Sequence, residues 1–334
     1  MCYLPLMSRG DSLPTLKAVT RTQGANAALK DGSVRPEGFV FDFEEVPVLV
    51  KAFRRMVRNL EFDVSEMAFT TYLCARAHGV PFSALPVFLV RGFHHGAIVH
   101  NTRLGIRHPK DLEGRRVGVN RGYTVTTGVW ARGILADEYG VDLDAITWVL
   151  SGDEHVADYR PPANVVPLEP GRTLEEQVAT GELAAAIGVS VDHPDVAPLI
   201  PDPDAAAFAA FQDSGLYPIN HLVVVRDELL EARPELAGQV FDAFERAKDR
   251  YVDRLRAGTL DRPGPDDRRH LRVLEATGAD PLPYGVEPNR AMIDKLIGHA
   301  VRQHILDEPM PLETVFPYPV GRGRTAGAQG AQGT

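Results

Sequence analysis

Cysteine is nearly absent from this chain: Cys2 and Cys74 are the two in 334 residues. Neither stands in a CxxC pair or at a Cys/His metal spacing, so a disulfide framework and a zinc-type centre are not indicated. That usage fits a reducing, cytoplasmic setting. Basic residues are outnumbered, and the net charge of -9 argues against nucleic acid or an anionic membrane surface as the main partner. A small anionic ligand is still allowed, because a pocket can be locally positive on an acidic protein. No run of about 18 apolar residues occurs, so no membrane-crossing helix is expected. The opening MCYLPLMSRGDSLPTLK lacks a basic start, and Pro5 and Arg9 break its apolar run, so it reads poorly as an export signal.

What is present is an ordinary globular composition, 44% hydrophobic and 24% charged, with length enough for two lobes around a large core. Strand and helix patterns alternate. TLKAVT, GFVFDFEEV, EFDVSEM, PVFLV, HHGAIVHN, RRVGVN, AITWVL and AAAIG read as strands. Helices are expected over Val48 to Asn59, from Thr70-Thr71 to His78, over TVTTGVWARGILADEYG and over TLEEQVATG, with Gly79 as a stop. HPDVAPLIPDPDA reads as a Pro-rich irregular loop. The last third is mainly helical, with stripes at Leu236, Val240, Phe244 and Tyr251 and at Met292, Leu296 and Ala300. The tail GRGRTAGAQGAQGT is low-complexity and expected to be disordered. The alternation predicts an α/β fold with mainly parallel sheets. Ligands of such sheets sit at the carboxyl ends of strands, where helix N-termini gather.

Several strand–helix junctions resemble a known family when taken together. HPKDLEGRRVGVN is similar to a segment of type II periplasmic-binding-protein folds. FDVSEMAFTTYL, VFLVRGFHHGAI, GYTVTTGVWARGILADEYGV and the pair GLYPINHLVVV with DPLPYGVEPNR resemble, in order and spacing, the 4,5-dihydroxyphthalate decarboxylase family built on that fold. The likeness spans about Glu37 to Phe316. It departs from the family at Arg21 to Asn26, at His94 and Gly96 within Phe93-His94-His95-Gly96, and at Arg121-Gly122. All three departures lie at pocket positions, so they bear on the substrate rather than on the fold.

The resemblance implies two lobes with a ligand cleft between them: residues 1–100 with 213–320, and residues 101–212, ahead of a tail at 321–334. It implies a decarboxylase of a hydroxylated aromatic acid, 4,5-dihydroxyphthalate to protocatechuate or a close analogue. A solute-binding protein for a small carboxylate and a cytosolic lyase acting on another ring acid are the alternatives. Such a reaction needs a proton delivered to the ring carbon and an ionised ring hydroxyl or a base, so neither metal nor organic cofactor is expected. A homo-oligomer is left open.

Histidine suits the proton roles. His95 and His221 match family histidines and are the catalytic candidates, with Glu66 to orient a histidine or take a phenolic proton. Neighbouring side chains on a regular strand face opposite ways, so His95 is expected in the cleft and His94 elsewhere, packed or at the substrate's edge. Arg21 and Arg91 are candidate carboxylate ligands. Thr70, Thr71, Thr126 and Thr127 offer hydroxyls beside free N–H groups at two helix starts. Tyr123 is expected against the ring. Tyr217 and Asn220 are expected to bond ligand oxygens.

Overall fold

The computed structural model describes residues 13–320; the expectations for Cys2, the opening segment and the tail lie outside them. The strands are β1 (Thr15–Val19), β2 (Val40–Phe43), β3 (Val64–Ala68), β4 (Phe82–Arg91), β5 (Ile98–Asn101), β6 (Arg116–Val119), β7 (Thr147–Leu150), β8 (Val165–Pro167), β9 (Ala185–Ile187), β10 (Val196–Pro198) and β11 (Ile219–Arg226). The helices are α1 (Ala27–Lys30), α2 (Leu49–Asn59), α3 (Phe69–Ala77), α4 (Thr126–Tyr139), α5 (Leu174–Thr180), α6 (Pro203–Ser214), α7 (Asp227–Ala232), α8 (Leu236–Arg256), α9 (Pro265–Thr277), α10 (Arg290–Arg302) and α11 (Leu312–Val315). None of them is long and apolar enough to cross a membrane.

The strands form two sheets, ordered β2-β1-β3-β11-β4 and β10-β5-β9-β6-β7-β8. The chain builds four strands of the first sheet, crosses to build the second, and returns with β11. Because β11 comes back from the far side, it runs antiparallel to both β3 and β4; β5 likewise opposes β9 and β10. The sheets are therefore mixed, where mainly parallel ones were expected. The returning strand is deeply buried at its centre: Leu222, Val223, Val224 and Val225 have no exposed surface. Each such side chain contributes on the order of 1.5–3 kcal/mol through burial. Removing β11 would therefore cut β4 off from the rest of the first sheet.

Two local expectations fail for physical reasons. The Pro-rich segment holds a strand and a helix start. Val196–Pro198 pairs as an edge strand, where a missing N–H costs little. Pro203 opens α6 behind Asp202, whose side chain accepts the Ala205 N–H. HHGAIVHN is not one strand either. The extended chain stops at Arg91, and His95–Ala97 make a single 3-10 turn before β5 begins. The alternation used to part His94 from His95 thus does not operate there.

Thr70 and Thr71 are not caps. Strand β3 runs into α3 without a loop, so the cap position falls on Ala68 and both threonines lie inside the first turn. The cap of α4 is Val125, again with no side-chain capping bond.

Candidate functional site

The two sheets meet where the carboxyl ends of β1, β3, β6, β7 and β9 converge. From the first sheet come Thr20-Arg21, Glu66 and, on the incoming end of β11, Asn220-His221. From the second come Asn120-Arg121 after β6, the loop Ser151–His155 after β7, and Gly188 after β9. The faces are tied by named contacts. Arg54 on α2 pairs with Asp153 at 2.7 Å, and Arg58 reaches Asp153 and the carbonyls of Glu154 and His155 at 3.2, 2.8 and 3.1 Å. Thr70 Oγ1 donates to the Thr124 carbonyl at 2.6 Å, and the Thr70 N–H donates to Thr126 Oγ1 at 3.1 Å. Phe53 stands edge-on to His221 at 5.2 Å and to His155 at 6.3 Å, between the two sheets.

Glu66 and His221 form the most reactive arrangement here. Register places His221 opposite Ala68 and Val223 opposite Glu66, so the two side chains share one face of the sheet. Glu66 has no exposed surface, and its Oε1 lies 2.6 Å from His221 Nδ1. Its Oε2 accepts the Arg21 N–H at 2.9 Å. Nδ1–H of His221 therefore donates to the carboxylate, which fixes the ring's tautomer and orientation. The outer nitrogen Nε2 is left free to pass a proton. The His221 side chain keeps 21% of its surface exposed, whereas its partner keeps none.

His94 and Asn220 occupy the reverse face. His94 Nε2–H donates to Asn220 Oδ1 at 2.8 Å, and the ring lies nearly parallel to Trp130, 5° off, with centroids 6.4 Å apart. Trp130 in turn donates to the Ile219 carbonyl at 2.9 Å. Burial pushes the His94 imidazole down to about 4, and the nearby His95, Arg269 and His221 push the same way against the Asn220 bond. It stays neutral at pH 7.

His95 is not gathered with His221. Its Nε2 lies 3.0 Å from a Glu138 carboxylate oxygen on α4, its Nδ1 is buried without a partner, and it lines a separate cavity of about 500 Å³ with Trp130, Phe211, Lys295 and His299. The expectation that it borders the same crevice is therefore corrected: the 3-10 turn swings it under α4.

Other expected residues divide similarly. The Arg91 guanidinium is buried, and its donors go to the Tyr217 and Pro283 carbonyls and Asn289 Oδ1. It braces the core through its two terminal nitrogens, while its Nε is buried without a partner. Tyr123 is 2% exposed beneath the buried Arg132, whose guanidinium carbon sits 3.8 Å from the ring centroid. It belongs to packing, with its hydroxyl raised by burial. Tyr217 lies tilted against Phe93 with ring centroids 5.0 Å apart, and burial pushes its phenol up to about 12 against the influence of Arg269 and Arg91. Thr71 is buried with an unpartnered hydroxyl. Thr70 and Thr126 bond one another across the sheets, so neither hydroxyl is simply waiting for an anion. Arg21 and Thr127 keep half-exposed or exposed positions.

Glu154 was missed by sequence reasoning. Its carboxylate accepts the N–H of Tyr123, the N–H of Thr124 at 3.2 Å and the Thr124 hydroxyl at 2.7 Å. The polarised N–H groups ahead of α4 thus already hold an anion supplied by the chain itself. Nothing in the spacing of thirty residues announces this. No group of three His, Cys, Asp or Glu side chains among the described residues is placed to hold a metal ion.

No family model matches the chain. It is 33% identical over 289 residues to 4,5-dihydroxyphthalate decarboxylase of Comamonas testosteroni, covering 80% of this chain and 86% of that protein. The chain belongs to the 4,5-dihydroxyphthalate decarboxylase family. A second member, from Pseudomonas putida, is 33% identical over 198 residues, 54% of this chain and 74% of that one. Among solved structures, the Candida albicans CA3427 gene product, described as having the generic periplasmic binding protein fold, superposes with a TM-score of 0.53 at 14% identity, over 95% of this chain and 99% of that one. The periplasmic aliphatic sulphonate binding protein SsuA of Escherichia coli gives 0.51 at 10% identity, over 91% and 98%. These likenesses establish the fold of this family member, two mixed sheets of the periplasmic-binding-protein kind.

Proposed function

We propose that this chain is a cofactor-independent decarboxylase of a hydroxylated aromatic acid, 4,5-dihydroxyphthalate or a close analogue, with protocatechuate or its counterpart as product. The observation that carries the reading is the Glu66–His221 pair: a fully buried carboxylate 2.6 Å from one imidazole nitrogen, on a histidine whose side chain keeps 21% of its surface exposed. Membership of the family supports the reaction class. In this reading residues 1–100 with 213–320, and 101–212, are two lobes that clasp the acid, and the enzyme works in the cytoplasm.

The chemistry follows from what the residues can do. In its imidazolium form, with Nδ1–H held on Glu66, His221 delivers its Nε2 proton to the ring carbon that carries the leaving carboxylate, while the para hydroxyl releases its proton to water and feeds its electrons into the ring; water returns a proton to the phenolate oxygen and to Nε2 once carbon dioxide has left. The carbon–carbon bond then breaks, its electron pair restores aromaticity, and carbon dioxide departs. The net change is one carboxylate and one proton exchanged for one C–H bond and carbon dioxide. Glu66 keeps the imidazole aimed throughout. Arg21, whose N–H is fixed by Glu66 and whose guanidinium is exposed, supplies positive charge beside the reacting carboxylate.

Incubation with 4,5-dihydroxyphthalate and a panel of hydroxybenzoates, followed by chromatography of products, tests the proposal. Stoichiometric carbon dioxide with a decarboxylated phenolic acid supports it. Tight binding of a ligand that is never consumed would overturn it in favour of a solute-binding protein.

A further inference from the structure

The turn after β6 carries a side chain that the chemistry above does not use. Arg121 has φ of 73°, a left-handed conformation that L residues other than asparagine and aspartate rarely adopt. Neighbours impose it. The Arg121 N–H donates to Ser151 Oγ at 2.8 Å. Gly152 lies so close that a Cβ there would stand 3.3 Å from the Arg121 Cα, and a Cβ on Gly122 would run into the Glu154 carboxylate at 2.7 Å. The acids that could neutralise Arg121 are spoken for: Asp153 by Arg54 and Arg58, and Glu154 by Tyr123 and Thr124. Among the described residues the guanidinium has no ion-pair or hydrogen-bond partner. It nevertheless lines a recess of about 130 Å³ together with Asn120, Val125, Thr127, Ile187 and Gly188. The Asn120 amide is committed to the Gly188 carbonyl at 2.8 Å, which leaves Arg121 and the Thr127 hydroxyl as the polar groups on offer, beside aliphatic walls. A recess of that size and lining takes a carboxylate and the edge of a ring. Arg121 is exposed at the mouth of this recess, and partial desolvation lowers its proton affinity.

We propose that Arg121 is the specificity-determining residue of the second sheet, binding the carboxylate that the product retains and so selecting aromatic di-acids over mono-acids. This rests on the decarboxylase reading. Arg121 grips the spectator carboxylate from one side of the crevice while the reacting carbon faces His221 on the other. The grip is the same before and during bond breaking, so its loss raises KM and leaves kcat nearly unchanged.

The experiment pairs Arg121→Asn, which tolerates the left-handed backbone, with Arg121→Lys, which keeps the charge. Each is measured with 4,5-dihydroxyphthalate and with 4-hydroxybenzoate, a mono-acid that keeps the para hydroxyl and is not the product, and phthalate binding is followed by calorimetry. The expected result is a KM or Kd for the di-acids raised about 10- to 100-fold in Arg121→Asn, the loss of one charge-assisted contact. Mono-acid kinetics should change less than threefold, and Arg121→Lys should recover part of the loss. Equal effects on both acids, or no effect on either, in a variant that melts like the parent, would overturn the assignment. A parent that binds phthalate through Arg121 yet turns nothing over would sink the decarboxylase reading while sustaining the carboxylate site.

Discussion

Adjacent residues on β11 set up two histidine pairs that differ in anchor charge and in exposure. His221 on one face is held by the buried Glu66 and keeps an open edge, while His94 on the other is held by Asn220 and sealed under Trp130. Both rings are oriented by a single side-chain oxygen. One is oriented by a charge and still touches solvent; the other is oriented by a neutral amide and is stripped of water. The difference teaches that an anchored imidazole is not by itself a catalytic group. What counts is whether the nitrogen away from the anchor can reach a substrate. His95, anchored by Glu138 with its other nitrogen buried and unpartnered, falls with His94 on this criterion.

Substitutions break the comparison in order of severity. His221→Ala removes the proton carrier and should lower kcat/KM about 10³-fold, within the range for a general acid or base, with the folded fraction unchanged by circular dichroism. Glu66→Gln keeps the shape but loses the charge that holds Nδ1–H. A fall in kcat of about 10- to 100-fold is expected, as for other residues that orient a ligand or base through a hydrogen bond, with KM moving little.

His94→Ala acts on the sealed side and should be read in stability. It leaves Asn220 without its partner and opens a void against Trp130, a loss of about 2 kcal/mol in urea unfolding. The same residue gives a pH signature. Its imidazole sits at about 4 in the fold, below the ordinary value near 6.5, so the unfolded chain binds the proton more readily. The stabilisation is complete above about pH 6.5 and is lost as pH falls through the window down to about 4, costing about 2 kcal/mol by pH 5. Denaturation of His94→Gln between pH 7 and 5 should show a shallower decline than the parent. An identical slope would remove His94 as a contributor. The smallest effect is expected from His95→Ala, less than tenfold in kcat/KM.

Much of this was legible before any coordinates. The apolar runs in PVFLV and AAAIG and the stripe through Leu236, Val240 and Phe244 each report burial directly, because side-chain period follows backbone geometry. Glu66 and His221 could be nominated from the junctions they occupy. What lay hidden depends on distant parts of the chain. The 3-10 turn at His95 is set by packing beneath α4, and α6 was masked by the Pro–Asp segment that starts it. Arg91 looked like a ligand for anions because nothing local shows that Tyr217, Pro283 and Asn289 absorb its donors. Glu154 reached a turn thirty residues upstream, and the left-handed Arg121 is imposed by Ser151 and Gly152. Periodicity carries no information about any of these.

The difference between the open and the sealed imidazole is tested most directly by chemical rescue. Initial rates of carbon dioxide release from 4,5-dihydroxyphthalate are measured for His221→Ala as free imidazole is added, with His95→Ala alongside. The account predicts that the His221→Ala rate rises from its depressed value with imidazole concentration, while His95→Ala starts near the parent rate and does not respond. A His221→Ala enzyme that works at the parent rate without imidazole, or a rescue seen with His95→Ala instead, would contradict it.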